Sequence, residues 1–356
     1  MKSLQVTKKT DFSGETIYVG MDVHKKQWTV TVLTSLLEHK TFVQPPLPTA
    51  LAGYLKKHFP NATYKSTYEA GFCGFWIHEE LKREGIENMV INGADVPTTN
   101  KEMKGKSDPV DSRKLAKGLR AGFLQGIHVP SRQELEIREA IRFRNKLVKD
   151  ITRNKNRIKG MLNRFGTEPP EELDGKDWQS AYILWLQKLE FDTPIGTYAL
   201  RAKVRSLLEL KAQKKDLEKT ILQRLMAGYE FEIKLLRKIP GVGLIVALTI
   251  LSELGDTTRF KNINALQSYV GLVPNIYSSG EKEYVGNMTK RKNNHVQPVL
   301  IQAAWVAVKK DPSLTKYYQG LCKRMAGNKA IIRVARKLLT RIRHVLVNRE
   351  EYQLMV

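Results

Sequence analysis

Hydrophobic and polar positions alternate most regularly between Ile17 and Val32. Apolar and β-branched residues run up to Asp22, a Lys25-Lys26-Gln27 turn follows, and Trp28, Val30 and Val32 then alternate with Thr29 and Thr31. This is the pattern of two strands joined by a tight connection. Glu38 to Val43 predicts a third strand, after which Pro45, Pro46 and Pro48 break the pattern. Residues 49–58 read as a short amphipathic helix and Tyr64 to Glu69 as a strand ending on an acid. Phe75 to Glu84 reads as a helix closed by Gly85, and Ile86 to Asn92 as a further strand.

Three strands, a helix, a strand, a helix and a strand is the order of a ribonuclease H-like layout, a mixed sheet flanked by helices. Lys101 to Asp108 is charged and reads as a loop. Asp108 then suits a helix N-cap with Pro109 at the first helical position. Asp111 follows three residues later, so both carboxylates share one side of the first turn. Acidic first turns are also ordinary helix-start devices, and spacing alone leaves both readings open.

Beyond residue 130 the period is helical. A long helix is predicted from Ser131 to Phe165 and a second from about Leu200 to Met226, around a mid-section at 166–197 that holds Trp178 and Trp185. The pair suggests an antiparallel helical hairpin or coiled coil. Pro240-Gly241-Val242-Gly243, between two apolar helices, has the helix-hairpin-helix signature. Its glycines would let backbone N–H groups approach a phosphate, a buried structural turn being the alternative. Phe260 to Val270 reads as a helix and 275–295 as one exposed polar loop with a basic cluster at Lys290, Arg291 and Lys292. An apolar helix at 296–309 and basic helices at 328–348 complete a mostly helical C-terminal part. The expected division is an N-terminal arm (1–15), an α/β domain (16–130), a helical connection (131–230) and a C-terminal domain (231–356).

Charge sharpens the picture. The chain of 356 residues has 60 Lys and Arg against 36 Asp and Glu, a formal net charge of +24. Such a surplus favours a polyanionic partner, nucleic acid first. Arg142, Lys146, Arg153 and Arg157 crowd one long helix, where phosphate contact competes with plain solvated charge as the explanation. No segment reaches the ~20 apolar residues that span a bilayer, and the N-terminus lacks a signal-peptide core. Cys73 and Cys322 are the only cysteines, too few for a disulfide framework or structural zinc site, so a reducing cytoplasm is expected.

The chemistry starts from Asp22. An acid inside an apolar strand is costly to bury unless something pairs with it, and a hard cation such as Mg²⁺ is the simplest partner. Glu69, Asp108 and Asp111 lie in the same predicted domain. Carboxylates on adjacent strand ends and a helix could surround two Mg²⁺ ions ~4 Å apart, which activate one oxygen and stabilise another at phosphorus.

The chain resembles the DEDD-type insertion-sequence transposases, the IS-one-ten family. The resemblance is carried by Tyr18-Val-Gly-Met-Asp-Val-His-Lys, Tyr68-Glu-Ala, Ser107-Asp-Pro-Val-Asp-Ser-Arg-Lys-Leu, Ile239-Pro-Gly-Val-Gly, Arg259-Phe, Gly271-Leu-Val-Pro and Ser278-Ser-Gly. It implies a RuvC-like N-terminal domain, a coiled-coil connection and a C-terminal transposase domain with a nucleophilic serine. Asp22, Glu69, Asp108 and Asp111 would be the metal-binding acids, holding Mg²⁺ or Mn²⁺. The nucleophile would be Ser279, with Ser278 as second choice, forming a phosphoserine link. A serine hydroxyl needs activation. His295, sixteen residues on, is unplaced by sequence, so a site composed from two domains or two subunits is plausible. The resemblance also implies a non-coding bridge RNA that pairs with donor and target DNA, and a cytoplasmic, nucleoid-associated enzyme. Strand exchange between two duplexes needs several active sites, so a homodimer or homotetramer is expected. A Holliday-junction resolvase-like nuclease without covalent intermediate and a non-catalytic nucleic-acid scaffold are the rival readings.

Overall fold

The computed structural model describes residues 11–97, 107–175, 177–279 and 282–354, and the chain divides into compact units at Met1–Val129 and Pro130–Val356. The expected arm over residues 1–10 and most of the loop expected at 101–108 lie outside the described residues.

The first unit is built on strands β1 (Thr16–Val23), β2 (Trp28–Leu33), β3 (Glu38–Gln44), β4 (Thr63–Glu69) and β5 (Glu87–Ile91). Sheet order is β3-β2-β1-β4-β5, with β1, β2 and β3 antiparallel and β4 and β5 joining in parallel, the mixed sheet of a ribonuclease H-like domain. Period-two alternation decides the two faces of β1. Ile17, Val19, Met21 and Val23 join Leu51 and Leu55 of helix α1 (Pro48–His58) and Ile77 and Leu81 of helix α2 (Trp76–Arg83) in one buried cluster. Each such side chain removed from water contributes about 1.5–3 kcal/mol.

The opposite face of β1 meets helix α3 (Asp108–Ala121). A Cβ on Gly20 would fall 2.1 Å from the Ser112 carbonyl oxygen and 2.3 Å from the Ala116 nitrogen, so backbone lies on backbone there. The buried Ser112 hydroxyl completes the seat through a 2.9 Å hydrogen bond with Thr31 on β2. Ser107, not Asp108, is the N-cap of α3. Its extended backbone turns its carbonyl onto the amides of Val110 and Asp111, and this puts Asp108 in the first helical position.

In the second unit, helices α4 (Arg132–Arg164) and α6 (Pro194–Arg237) run antiparallel, as the pairs Arg144–Glu218 and Asn154–Ser206 require. Ile151, Ile158 and Leu162 meet Leu200, Val204 and Leu207, with α5 (Ser180–Lys188) adding Tyr182 and Leu186. A capping box at Ser131 and Glu134 starts α4. The second long helix begins at Pro194 rather than near Leu200, because Thr193 caps it and Pro194 suits the first turn. It also continues past Met226 to Arg237, with a break at Tyr229. A further helical core follows: α7 (Leu244–Leu254), α8 (Ile263–Val270), α9 (Val296–Lys310), α10 (Pro312–Cys322) and α11 (Gly327–Asn348). The helix expected from Phe260 starts only at Ile263, since Asn262 caps it.

The stretch expected as one exposed loop is a β-hairpin, β6 (Pro274–Ser279) and β7 (Lys282–Met288). Ile276 lies opposite Val285 and Tyr277 opposite Tyr284, β-forming pairs that the serines and glycines around them obscure in the sequence.

Two buried acids fix this unit. Asp311 ends α9, caps α10, and receives Arg341 at 2.7 Å and the Tyr352 hydroxyl, which ties down the segment after α11. Glu253, 1% exposed, accepts both arms of Arg142 at 2.6 and 2.9 Å and the Asn293 amide at 3.1 Å. Burial alone would push the Glu253 carboxyl up. The hydrogen bonds from Arg142 and Asn293, with the charges of Arg142 and Arg138, outweigh it and hold the carboxyl below the ordinary range. A depressed folded value means that this stabilisation is complete above the unfolded pKa, about 4.3, and is lost as pH falls through the folded one. Glu253→Gln should cost about 2–4 kcal/mol at neutral pH by stranding the arginines. Urea titrations at a series of pH values should show a flatter acid limb for the variant than for the wild type.

Candidate active site

Asp22 and His24 share the α3 side of the sheet with Gly20, two and four residues on. His24 leaves β1 at the turn into β2, its amide bonded to the Gln27 carbonyl. Because Gly20 lies under Ser112 and Ala116, the start of α3 lies over the end of β1, and this delivers Asp108 and Asp111 to Asp22. Glu69 ends β4, the strand beside β1, where the Ala70 amide bonds the Ile91 carbonyl. The carboxylate of Glu69 lies against a glycine. A Cβ on Gly93 would fall 2.3 Å from Glu69 Oε2.

All four predicted acids line one open cavity of about 550 Å³, together with Met21, His24, Phe72 and Ser107. Phe72, 75% exposed, stands at its rim on the loop after β4, which the Tyr68 hydroxyl anchors by donating to the Gly74 carbonyl. His24 Nε2 lies 3.3 Å from Asp22 Oδ2 and 3.9 Å from Asp108 Oδ2. Among the described residues these three offer ligand atoms within 4.8 Å of one another, while Glu69 and Asp111 stand further out on the cavity wall.

Electrostatics favour a cation here. Partial burial raises the Asp22 carboxyl, His24 pulls it back, and the charges of Asp108 and Asp111 raise it further. An acid raised by acidic neighbours is relieved when a positive charge enters between them. Clustered carboxylate oxygens at strand and helix ends are the hard donors that Mg²⁺ and Mn²⁺ take. The donor set therefore fits a divalent ion.

The other predicted residues lie in the second unit. Ser278 and Ser279 end β6, opposite Glu283 and Lys282 at the closed end of the hairpin. His295 precedes α9, beside Glu253. Burial holds its imidazole below the usual range, only partly offset by the Glu253 charge. Lys146, Arg157, Lys290, Arg291 and Lys292 are exposed. Arg153 pairs with Asp150 at 2.8 Å, and Arg142 is engaged by Glu253. Gly241, at φ +87°, has the Ala303 carbonyl oxygen 2.2 Å from where a Cβ would stand, so packing against α9 already demands a glycine. Gly243 is exposed, with open space around it. Sequence reasoning passed over His24, although its i+2 spacing from Asp22 puts both on one face. Gly20 and Gly93 gave no signal, because both are read only from a close approach in three dimensions.

A DEDD transposase family model matches residues 19–166, the stretch holding the four acids. A second model, described as the transposase IS116/IS110/IS902 family, matches 233–319, which includes both serines. A putative transposase of Sinorhizobium fredii is 26% identical over 91% of this chain and 90% of its own length. Another from that organism is 28% identical over 67% of this chain, the match spanning 57% of the relative. The transposase for insertion sequence element IS1111A of Coxiella burnetii is 23% identical over 76% of this chain and 74% of its own. With both family models matched in order along it, the chain belongs to the IS110 family of DEDD transposases, enzymes that act on DNA.

Proposed function

We propose that this chain is an RNA-guided DNA recombinase that cuts, exchanges and rejoins donor and target DNA to mobilise its insertion sequence. The observation that carries the reading is the meeting of Asp22, Glu69, Asp108 and Asp111 on one cavity wall. These four acids hold Mg²⁺, two ions per site, with Mn²⁺ able to substitute. When bound, the metal neutralises the acids and stabilises charge developing on the phosphate.

Ser279 supplies the nucleophile, with Ser278 as second choice. Its Oγ–phosphorus bond forms as one phosphorus–oxygen bond to deoxyribose breaks, and the serine proton ends on the released hydroxyl. After strand exchange, a hydroxyl of the other duplex attacks the phosphoserine. This remakes a phosphodiester and returns the proton to Ser279. No water is consumed, so the strand can be rejoined without an outside energy source. Strand exchange between two duplexes needs several such centres, hence a homodimer or homotetramer. A bridge RNA reads donor and target by base pairing, while protein holds backbone. The α4–α6 pair, read as a coiled coil, and the Gly241–Gly243 turn, read as helix-hairpin-helix-like, contribute to that grip with Lys146, Arg153, Arg157 and the cluster at 290–292.

The test incubates purified protein with the RNA flanking its gene, two DNA duplexes and Mg²⁺, and follows joined product and covalent protein–DNA adduct. Asp22→Asn should lower joining on the order of a thousandfold, the several kcal/mol that a metal supplies. Ser279→Ala should abolish both adduct and product and leave RNA binding intact. Adduct that persists in Ser279→Ala and vanishes in Ser278→Ala would move the nucleophile by one residue.

Gly93→Ala displaces only the mobile end of the Glu69 side chain. Joining should fall about tenfold or more, with the melting temperature nearly unchanged by calorimetry. In nucleic-acid binding measured against salt, Lys146→Gln and Arg157→Gln should each reduce the log–log slope by about 0.9.

A further inference from the structure

His24 belongs to the acid cavity but has no place in a site made of four carboxylates. Its side chain is about half exposed, so nothing in the core demands an imidazole at this position. Its Nε2 is nevertheless aimed between two acids, 3.3 Å from Asp22 Oδ2 and 3.9 Å from Asp108 Oδ2. Ligands at right angles on a six-coordinate ion with bonds of about 2.1 Å lie about 3.0 Å apart, and opposite ones about 4.2 Å. The two separations fall within that range, and all three donor atoms lie within 4.8 Å of one another. Backbone geometry holds the arrangement: period two puts Asp22 and His24 on one side of β1, and the His24 amide is fixed to Gln27 where the turn begins.

Imidazole is a softer donor than carboxylate. It suits transition-metal ions, whereas all-oxygen sets suit Mg²⁺. We propose that His24 ligates the divalent ion alongside Asp22 and Asp108 and biases the site toward Mn²⁺ over Mg²⁺. The inference rests on the reading of the four acids as metal-holding residues and adds the residue that sets metal preference.

The test uses the full chain without nucleic acid and reads binding rather than turnover. Mn²⁺ is added to wild type, His24→Gln, His24→Ala and Asp22→Asn, and electron spin-echo spectra are recorded for nitrogen coupled to the bound ion. Calorimetric titrations with Mn²⁺ and with Mg²⁺ accompany them, and circular dichroism checks the fold. The wild type should show nitrogen modulation that His24→Gln lacks. His24→Gln should lose Mn²⁺ affinity on the order of tenfold or more, with Mg²⁺ affinity changed by less than about threefold. A wild-type spectrum without nitrogen coupling overturns the proposal, whether or not the variants fold. So does an unchanged Mn²⁺-to-Mg²⁺ ratio in a folded His24→Gln. Asp22→Asn separates the two levels. If it binds Mn²⁺ as well as wild type, the four-acid reading fails. If it loses the ion while His24→Gln keeps it, only the role of His24 fails.

Discussion

In the N-terminal unit, helix α3 lies backbone against backbone on strand β1 across Gly20. A side chain of any size there would drive the Ser112 and Ala116 backbone off the sheet. The two elements run in opposite senses, so bringing their middles into contact also brings the start of α3 over the end of β1. The acids of both then share one cavity. Nothing in the carboxylates themselves would bring them together, since like charges repel and the charges of Asp108 and Asp111 raise Asp22. Packing on the far face, where Ile17, Val19, Met21 and Val23 are buried, provides the free energy that keeps them close.

Among the described residues, the buried Glu253 and Asp311 differ in kind from the partly buried Asp22. Glu253 and Asp311 are surrounded by donors and cations, which hold both carboxyls below their usual range despite burial, and they knit helices together. Asp22 is displaced in the opposite sense, by burial and by its acidic neighbours. Asp22 lines an open cavity, whereas Glu253 and Asp311 close ion pairs between helices. Arg142 shows why charge type alone misleads: among a run of basic residues on α4, it is spent on Glu253, with Arg138 beside it.

Much of the N-terminal unit was legible because its elements obey clean periods. The strands of β1 and β2 alternate, proline closes β3, and Gly85 ends α2. The acids at strand and helix ends could be named from the chain and expected to meet around an ion, although the shape of the cavity they line could not. What escaped depends on distance rather than pattern. The need for glycine at 20 is set by residues far along the chain, as are the contact of Gly93 with Glu69 and the pairing of Glu253 with Arg142 and Asn293. The β6–β7 hairpin was hidden because serine, glycine and asparagine outnumber the four β-forming residues that pair across it. The start of α3 moved by one residue because serine and aspartate are both good caps, and only backbone angles distinguish them.

The antiparallel helices α4 and α6 set a length scale. At 1.5 Å per residue, the 33 residues of α4 extend about 50 Å. Base pairs stack at about 3.4 Å, so an arm of that length laid along a duplex would cover about fifteen of them, roughly one and a half turns of B-form DNA. Its far end carries α5 and the tryptophans at 178 and 185, packed against the core that the two long helices share. Lengthening or shortening the arm by whole turns of α-helix would move that packed end in steps of about 5.4 Å.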